Sequence, residues 1–466
     1  MKKLILLAFT FLGLNVFAQN TWVELSAGTE FSAGIQSDGT LWTWGSNMNE
    51  QLGLGDAITR AIPTQVGTDT NWSSISCGAF HSLAIKNDGT LWAWGENSLF
   101  QLGNGNTTQL STPTQVGTDN DWASINAGYA HNHAIKTDGT LWAWGWNLYG
   151  QIGDNSNIDL AIPTQIGTAT NWEFIDSGAG HTLALKTDGT LWGWGFNANG
   201  QLGIISSTEI KEPTQIGTSL WNDISCGYEY SSGIKADGTL WSWGFNGNSQ
   251  LGLGTIPQAD EPTQVGTSSD WETIRSGAAS NFAINSSSEL FGTGFNQFGT
   301  LGDGSGVNKS SFTLITDDVD MVYVSEGGAG QGGIFGHHTF LLRNSDKTVI
   351  CAAGSNYISQ IGDGGSADIL TFTCNVGDLD NVGLTAEQKG VNFKVYPNPA
   401  SDFATIEFDG KTPAQFTLYS TSGAQVFSQE INSGQKVEFK SLELGIYFYE
   451  IMKENGELEK GKLILK

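Results

Sequence analysis

The stretch TDGTLWAWGWN, residues 137–147, decides how the rest of the chain is read. Near-copies stand at 37–47, 87–97, 187–197 and 236–246, and two eroded copies, SSELFGTGFN and DKTVICAAGSN, follow. The glycines that close the seven copies are Gly45, Gly95, Gly145, Gly195, Gly244, Gly294 and Gly354. A period near fifty, repeated this often, means a solenoid, propeller or array. One full repeat, residues 63–105, holds four short segments: PTQVG, WSSISCG, HSLAIK and TLWAWG. Each alternates or is rich in β-branched and aromatic residues, and turn residues separate them, so the repeat is a four-stranded antiparallel unit. Asp88-Gly89 predicts a type I′ hairpin, which needs positive φ at both central residues. In LWxWG the two tryptophans share one strand face. Small residues lie between them (Thr43, Ala93, Ala143, Gly193, Ser242), as close packing on the other face requires.

Ten of the 17 tryptophans sit in the five intact LWxWG segments, and Trp22, Trp72, Trp122, Trp172, Trp221 and Trp271 open the WxxI segments. Burying one removes about 150–250 Å² from water, roughly 4–6 kcal/mol gross at ~25 cal/mol per Å². These rings therefore read as core, and Trp146 alone falls outside the pattern. Seven such sheets predict an all-β fold, a seven-bladed β-propeller of four-stranded antiparallel blades. No PTQVG segment precedes Trp22, whereas TFTCNVG (371–377) is a spare one at the end. The expectation is that it pairs into the first blade and closes the ring.

The unit GxxHSxAIKxDGTLWxWGxNxxxQLGxG resembles the regulator-of-chromosome-condensation repeat family over about residues 22–378. The resemblance implies the seven-bladed propeller and a binding habit; some secreted members act by binding alone. The nuclear exchange-factor activity of the best-known member, on a small GTPase, is not carried over, because this chain opens with an export signal.

That signal is Lys2-Lys3, an apolar run from Leu4 to Leu14, and Val16-Phe17-Ala18, with cleavage expected between Ala18 and Gln19. No other stretch is long and apolar enough to span a membrane. The expected units are a signal peptide (1–18), the propeller (19–378), a linker (379–390) and a C-terminal domain (391–466). The chain carries 21 basic and 47 acidic residues, net −26. Residues 391–466 hold 8 Lys and 10 acids, leaving 13 against 37 before them, a net of −24. Such a body repels nucleic acid, and no basic cluster relieves it. Cys77 and Cys226 occupy equivalent sites three repeats apart and read as small packing residues; Cys351 and Cys374 share the last repeat and could bridge.

Residues 391–466 read as an Ig-like β-sandwich, with alternating strands between Gly and Asn/Ser turns. YPNPASD, with Tyr396, Pro397, Asn398 and Pro399, then STSG with Gly423, then LGIYFYEI with Gly445 and Tyr447, resemble the C-terminal sorting domain of type IX secretion substrates. The resemblance implies that the type IX machinery is a partner and that export runs through the periplasm to the outer surface or medium.

His81, His131, His181 and His338 align at one repeat position, held elsewhere by Phe31, Tyr230 and Ser280. Each is expected to order its own turn. His131-Asn132-His133 and His337-His338 lack a third ligand, and GGAGQGGIFG (327–336) lacks the Lys-Ser/Thr of a phosphate loop, reading instead as a flexible insertion in the last blade. No catalytic residue, metal site or cofactor is expected.

The DGT hairpins and VGTDTNW-type crossings fall on one face of the ring, and their sequences barely change. The GxxH turns and the loops after WGxN fall on the other, which differs in every blade. That variable face collects Phe80, Phe100, Tyr129, Trp146, Tyr149, Phe196, Tyr228, Tyr230, Phe245, Phe298 and Tyr357, the candidate ligand-binding residues. The resulting expectation is a monomeric, non-catalytic binding propeller for an extracellular protein or polysaccharide. The alternatives are a polysaccharide-active hydrolase or lyase and, against the export signal, a GTPase exchange factor.

Overall fold

The computed structural model describes residues 20–205, 208–325, 328–330, 333–335, 337–376, 394–396, 403–407, 413–419, 425–439, 442, 445–453 and 458–465. The expected signal peptide with Ala18 and Gln19, the linker 379–390, residues 327, 331, 332 and 336 of the Gly-rich segment, and Pro397, Asn398, Pro399 and Gly423 lie outside them; the described part of the Gly-rich segment pairs Gly328–Gly330 antiparallel with Gly333–Phe335.

Every regular element among the described residues is a strand. The first blade is β1 (Trp22–Ala27), β2 (Phe31–Gln36), β3 (Leu41–Gly45) and β4 (Arg60–Gln65), hydrogen-bonded in that order. The same order recurs in each period through Ile369–Val376, giving seven blades. Register repeats with the sequence: Thr43 faces Thr64, Ala93 faces Thr114, and Gly193 faces Thr214. The single missing residue of the repeat shows at the fourth-to-fifth crossing. There Ile216 and Trp221 are one residue closer than their counterparts, and one continuous strand, Glu209–Cys226, serves both blades.

Closure of the ring departs from expectation. Ile369–Val376 pairs with Ile350–Gly354 inside the seventh blade, because each PTQVG-type strand pairs with the LWxWG strand of its own period. The first and seventh blades meet without a shared strand: Trp22, Leu25 and Trp44 pack with Phe340, Ile350 and Val376, and Trp22 N donates to Lys347 O (2.8 Å) and Gly364 N to Ala61 O (2.9 Å). The Cys351–Cys374 disulfide joins two neighbouring strands of the seventh blade.

The hairpin is also not type I′. Gly89 has φ +76° while Asp88 stays at negative φ, and Gly89 N–H donates to Lys86 O at 2.8 Å. This is a type I turn followed by one left-handed residue. Asp88 Oδ1 fixes it by accepting from Thr90 N (3.1 Å) and Thr90 Oγ1 (2.7 Å), and Trp92 Nε1 donates to that hydroxyl at 2.9 Å. The DGTLW motif is thus one hydrogen-bonded relay. In the eroded sixth blade Ser288 takes the glycine's place at φ 60°. Ser288→Gly should relieve about 1 kcal/mol of left-handed strain and raise the melting temperature by about 2 °C; a fall would contradict the turn assignment.

Blades are stitched to their neighbours at the glutamine of QLG. Gln51 O accepts from Trp94 Nε1 (2.9 Å) and Ser82 Oγ (3.0 Å), both in the next blade. His81 Nε2 bonds Asn132 Oδ1 at 2.7 Å, and His181 Nε2 bonds Ser231 Oγ at 2.9 Å. The aligned histidines therefore tie each blade to the next, not their own turn as expected, since the position after each histidine always offers a polar side chain across the seam.

The C-terminal strands form a three-stranded sheet (394–396, 403–407, 435–438) and a four-stranded sheet (425–431, 414–419, 445–453, 458–465). Ala404, Ile406 and Val437 of the first share one core with Phe416, Ile451 and Leu463 of the second, so the unit is a small β-sandwich. Tyr447 is buried in that core, within the Gly445–Lys453 strand, and Tyr396 ends the first strand.

Candidate functional site

Two segments per blade build the variable face, called upper here: the short GxxH turn and the loop after WGxN, which a buried asparagine and glutamine hold. Asn147 Oδ1 accepts from Ile152 N at 3.0 Å and Gln151 Oε1 accepts from Tyr149 N at 2.8 Å. Both amides are fully buried, so they clamp the loop from inside and leave the residues between them to project outward. Trp146 and Phe196 follow directly on the positive-φ glycines Gly145 and Gly195, which aim them at the same surface.

Six of the eleven candidates come together there. Trp146 and Tyr149 have ring centroids 5.4 Å apart, and Tyr149 and Phe196 4.7 Å. Phe80 lies 6.5 Å from Tyr129, and Tyr129 lies 6.4 Å from Tyr228. The two runs meet above the fourth blade, whose turn is only Ala179-Gly180. A Cβ on Gly180 would stand 3.1 Å from the Tyr149 ring, so the glycine makes room for it. Burial raises the Tyr228 phenol pKa, and nearby Tyr129, Glu229 and Tyr149 raise it further. Burial and then Glu96 raise that of Tyr129.

The remaining candidates stand apart. Phe100 is half-buried at φ 60°, where the next blades carry Gly150 and Gly200. Phe298 packs on Phe295 at 5.6 Å, and Phe245 is half-buried on its own loop. Tyr357 is 45% exposed and its hydroxyl bonds Glu30 across the closing seam. Tyr230 is a correction: it is fully buried, and its hydroxyl donates to Gly277 O (2.9 Å) and Ser280 O (2.8 Å). It fills the seam position of the histidines, so it cannot face a ligand.

The sequence reading missed a second polar centre. The seven inner strands surround a cavity of ≈ 240 Å³, lined among others by Glu24, Asn126, Asp176, Arg275 and Tyr323. These strands have no strand partner on the channel side, and side chains satisfy their N–H groups instead. Ser26 Oγ accepts from Cys77 N (2.9 Å), Asp176 Oδ2 from Cys226 N (2.7 Å) and Asp223 Oδ2 from Ile274 N (2.9 Å). Arg275 Nη1 stands 3.0 Å from Asp223 Oδ2. Burial raises the Asp176 and Asp223 pKa values and brings Glu24 to about 7, although the Ser74 hydroxyl donates to it at 3.0 Å. Glu24 can therefore take or give a proton near neutral pH. The signal was available: the second and fourth residues after each inner-strand tryptophan are mostly polar, in strands otherwise built for a core.

His131 and His133 have rings 5.5 Å apart, and each bonds the fourth blade, through Thr182 Oγ1 (3.4 Å) and Ser177 Oγ (3.1 Å). Among the described residues no helix is long and apolar enough to cross a membrane.

Residues 12–272, just over half of the chain, match the family model described as the RCC1-like domain. Residues 394–466 match that of the secretion system C-terminal sorting domain. No curated protein sequence matches the chain. Among solved structures, human WBSCR16 is similar at 19% identity and a TM-score of 0.63, covering 72% of this chain and 94% of its own. Prp20p of Saccharomyces cerevisiae, described with its binding to Gsp1p and histones, is similar at 17% identity and a TM-score of 0.61, covering 80% of this chain and 90% of its own. At these identities the likeness concerns the fold.

Proposed function

The chain belongs to the RCC1-like domain family and ends in a secretion system sorting domain, and from that premise we propose an exported, non-catalytic binding module. The upper face takes a protein or polysaccharide ligand, and the sorting domain hands the protein to the type IX machinery for delivery to the surface or medium. The observation that carries this reading is the aromatic patch over Ala179-Gly180. Its rings are only half-buried, Trp146, Tyr149 and Phe196 lie on loops locked by buried amides, and no core requirement of the repeat asks for them. Rigid, partly exposed aromatic side chains are favoured interface anchors.

Trp146→Ala with Tyr149→Ala should weaken ligand binding by at least about tenfold while moving the melting temperature by no more than about 2 °C. The check is a binding screen of the full chain against soluble glycans, insoluble polysaccharides and surface-protein extracts, with calorimetry on the variant. A large stability loss would show these rings to be core. Deleting residues 391–466 should hold the propeller in the periplasm, read by fractionation and blotting; normal export of the truncation contradicts the sorting role.

A second reading, a polysaccharide-active hydrolase or lyase, draws on Glu24 in the channel with its proton-binding range near neutrality. Product analysis on each glycan in the same screen separates the two.

A further inference from the structure

We infer that the aromatic patch docks a basic polypeptide segment, with a lysine or arginine side chain standing over its rings and against its carboxylates. The inference rests on the upper-face reading and names its ligand class.

The charge balance of the patch points one way. The upper loops of the second to fifth blades carry Glu96, Asp154, Asp159, Glu209, Glu229 and Asp260 against Lys211 alone, six against one for a net of −5. Lys211 is already taken, 3.1 Å from Glu209. The other cations of the upper face, Arg60 and Lys309, are likewise held by Asp56 (2.6 Å) and Asp303 (2.7 Å) in their own blades. Among the described residues, Glu96 beside Tyr129 and Glu229 beside Tyr228 form no such ion pair. Glu229 accepts from the Asn199 amide at 3.1 Å, and burial raises its pKa.

The lower face shows what is missing. There Lys86 stands 3.8 Å over Trp92 and 2.6 Å from Asp69, and Lys136 stands 4.3 Å over Trp142 and 2.6 Å from Asp119. Ring, cation and carboxylate form a complete set in each of these blades. Among the described residues no cation stands over Tyr129 or Trp146 of the upper patch, or pairs with Glu96 or Glu229 beside them. A neutral glycan laid on the rings would cover Glu229 without neutralising it, at a desolvation cost. A basic side chain offsets that cost, and the net charge of −26 speeds its arrival.

The test uses the full chain and three probes: a fluorescent peptide of alternating lysine and glycine, its glutamate counterpart, and a neutral soluble β-glucan. The lysine peptide should bind saturably and the other two should not. Affinity should fall about tenfold in Glu96→Gln/Glu229→Gln and in Tyr129→Ala/Tyr228→Ala. It should change less than about twofold in Glu173→Gln/Glu272→Gln, which removes the same charge from exposed sites at the lower ends of inner strands. An equal loss in that lower pair overturns the inference, because bulk charge alone then explains binding. Glucan binding that depends on Tyr129 and Tyr228, with no peptide binding, overturns the ligand class and keeps the upper-face reading. If neither probe responds to the tyrosine changes, both fail.

Discussion

Lowering the pH from 7 to 5 should cost the propeller about 6 kcal/mol of stability, by the linkage of protonation to folding. His81, His133, His181 and His337 are buried to 1% exposure or less, and burial holds their pKa to about 4 for His81 and about 3 for the other three. His131 is shifted in the same direction by burial and then by His133. In the unfolded chain each titrates near 6.5. A depressed folded pKa leaves stability intact above 6.5 and removes it as the unfolded chain takes up protons below that value. At pH 5 each of the four costs about 2 kcal/mol, about 8 together. Glu24 opposes them. Its pKa is raised to about 7, so its charged form is penalised at neutral pH, and protonation on the way to pH 5 returns about 2 kcal/mol. Asp176 and Asp223 add relief of the same sign only once the pH drops below their own raised values. The histidines win, and melting temperature should fall by about 10 °C. Replacing His81 and His181 by phenylalanine, the residue the first blade carries as Phe31, should remove about 4 of the 6 kcal/mol, roughly two-thirds of the drop. An undiminished drop in that variant would place the acid sensitivity elsewhere.

Gly95→Ala should be severely damaging, because the added methyl meets main chain of its own and the preceding blade. At φ +101° its Cβ would lie 2.7 Å from Phe80 O, 2.8 Å from His81 Cα and 3.2 Å from Gln51 Cα, the last in the preceding blade. Backbone strain of about 1–3 kcal/mol adds to an overpacking cost of about 1–3 kcal/mol, because every contacting atom is main chain. Gly254→Ala provides the comparison. It has φ +76° but nothing within 4 Å of the new methyl, so strain acts alone at about 1 kcal/mol. Denaturant titration of both variants separates the terms. Equal losses would mean that the blades approach less closely at Gly95 than described.

The propeller was legible because one strong signal fixed it: WxxI, HSxAIK, LWxWG and PTQVG each alternate with period two and recur at a constant interval. Local details were less so. The hairpin depends on an Asp–Thr–Trp relay, and a dipeptide cannot tell type I′ from type I followed by left-handed glycine. The role of His81 depends on Asn132, fifty-one positions away in the next blade, which spacing alone does not bring together. Tyr230 looked like a surface residue because its neighbours Tyr228 and Glu229 are partly exposed; its burial follows from its alignment with the histidines. The channel carboxylates escaped notice because each inner strand contributes only one or two polar residues, and their convergence exists only in the closed ring.

The most direct test of the account is hydrogen–deuterium exchange on the full chain, alone and saturated with a ligand recovered from the binding screen. New protection should appear in the 129–130, 146–150 and 227–229 segments of the upper face. Protection confined to the lower hairpins at 87–90 and 137–140, or to the channel strands, would contradict it.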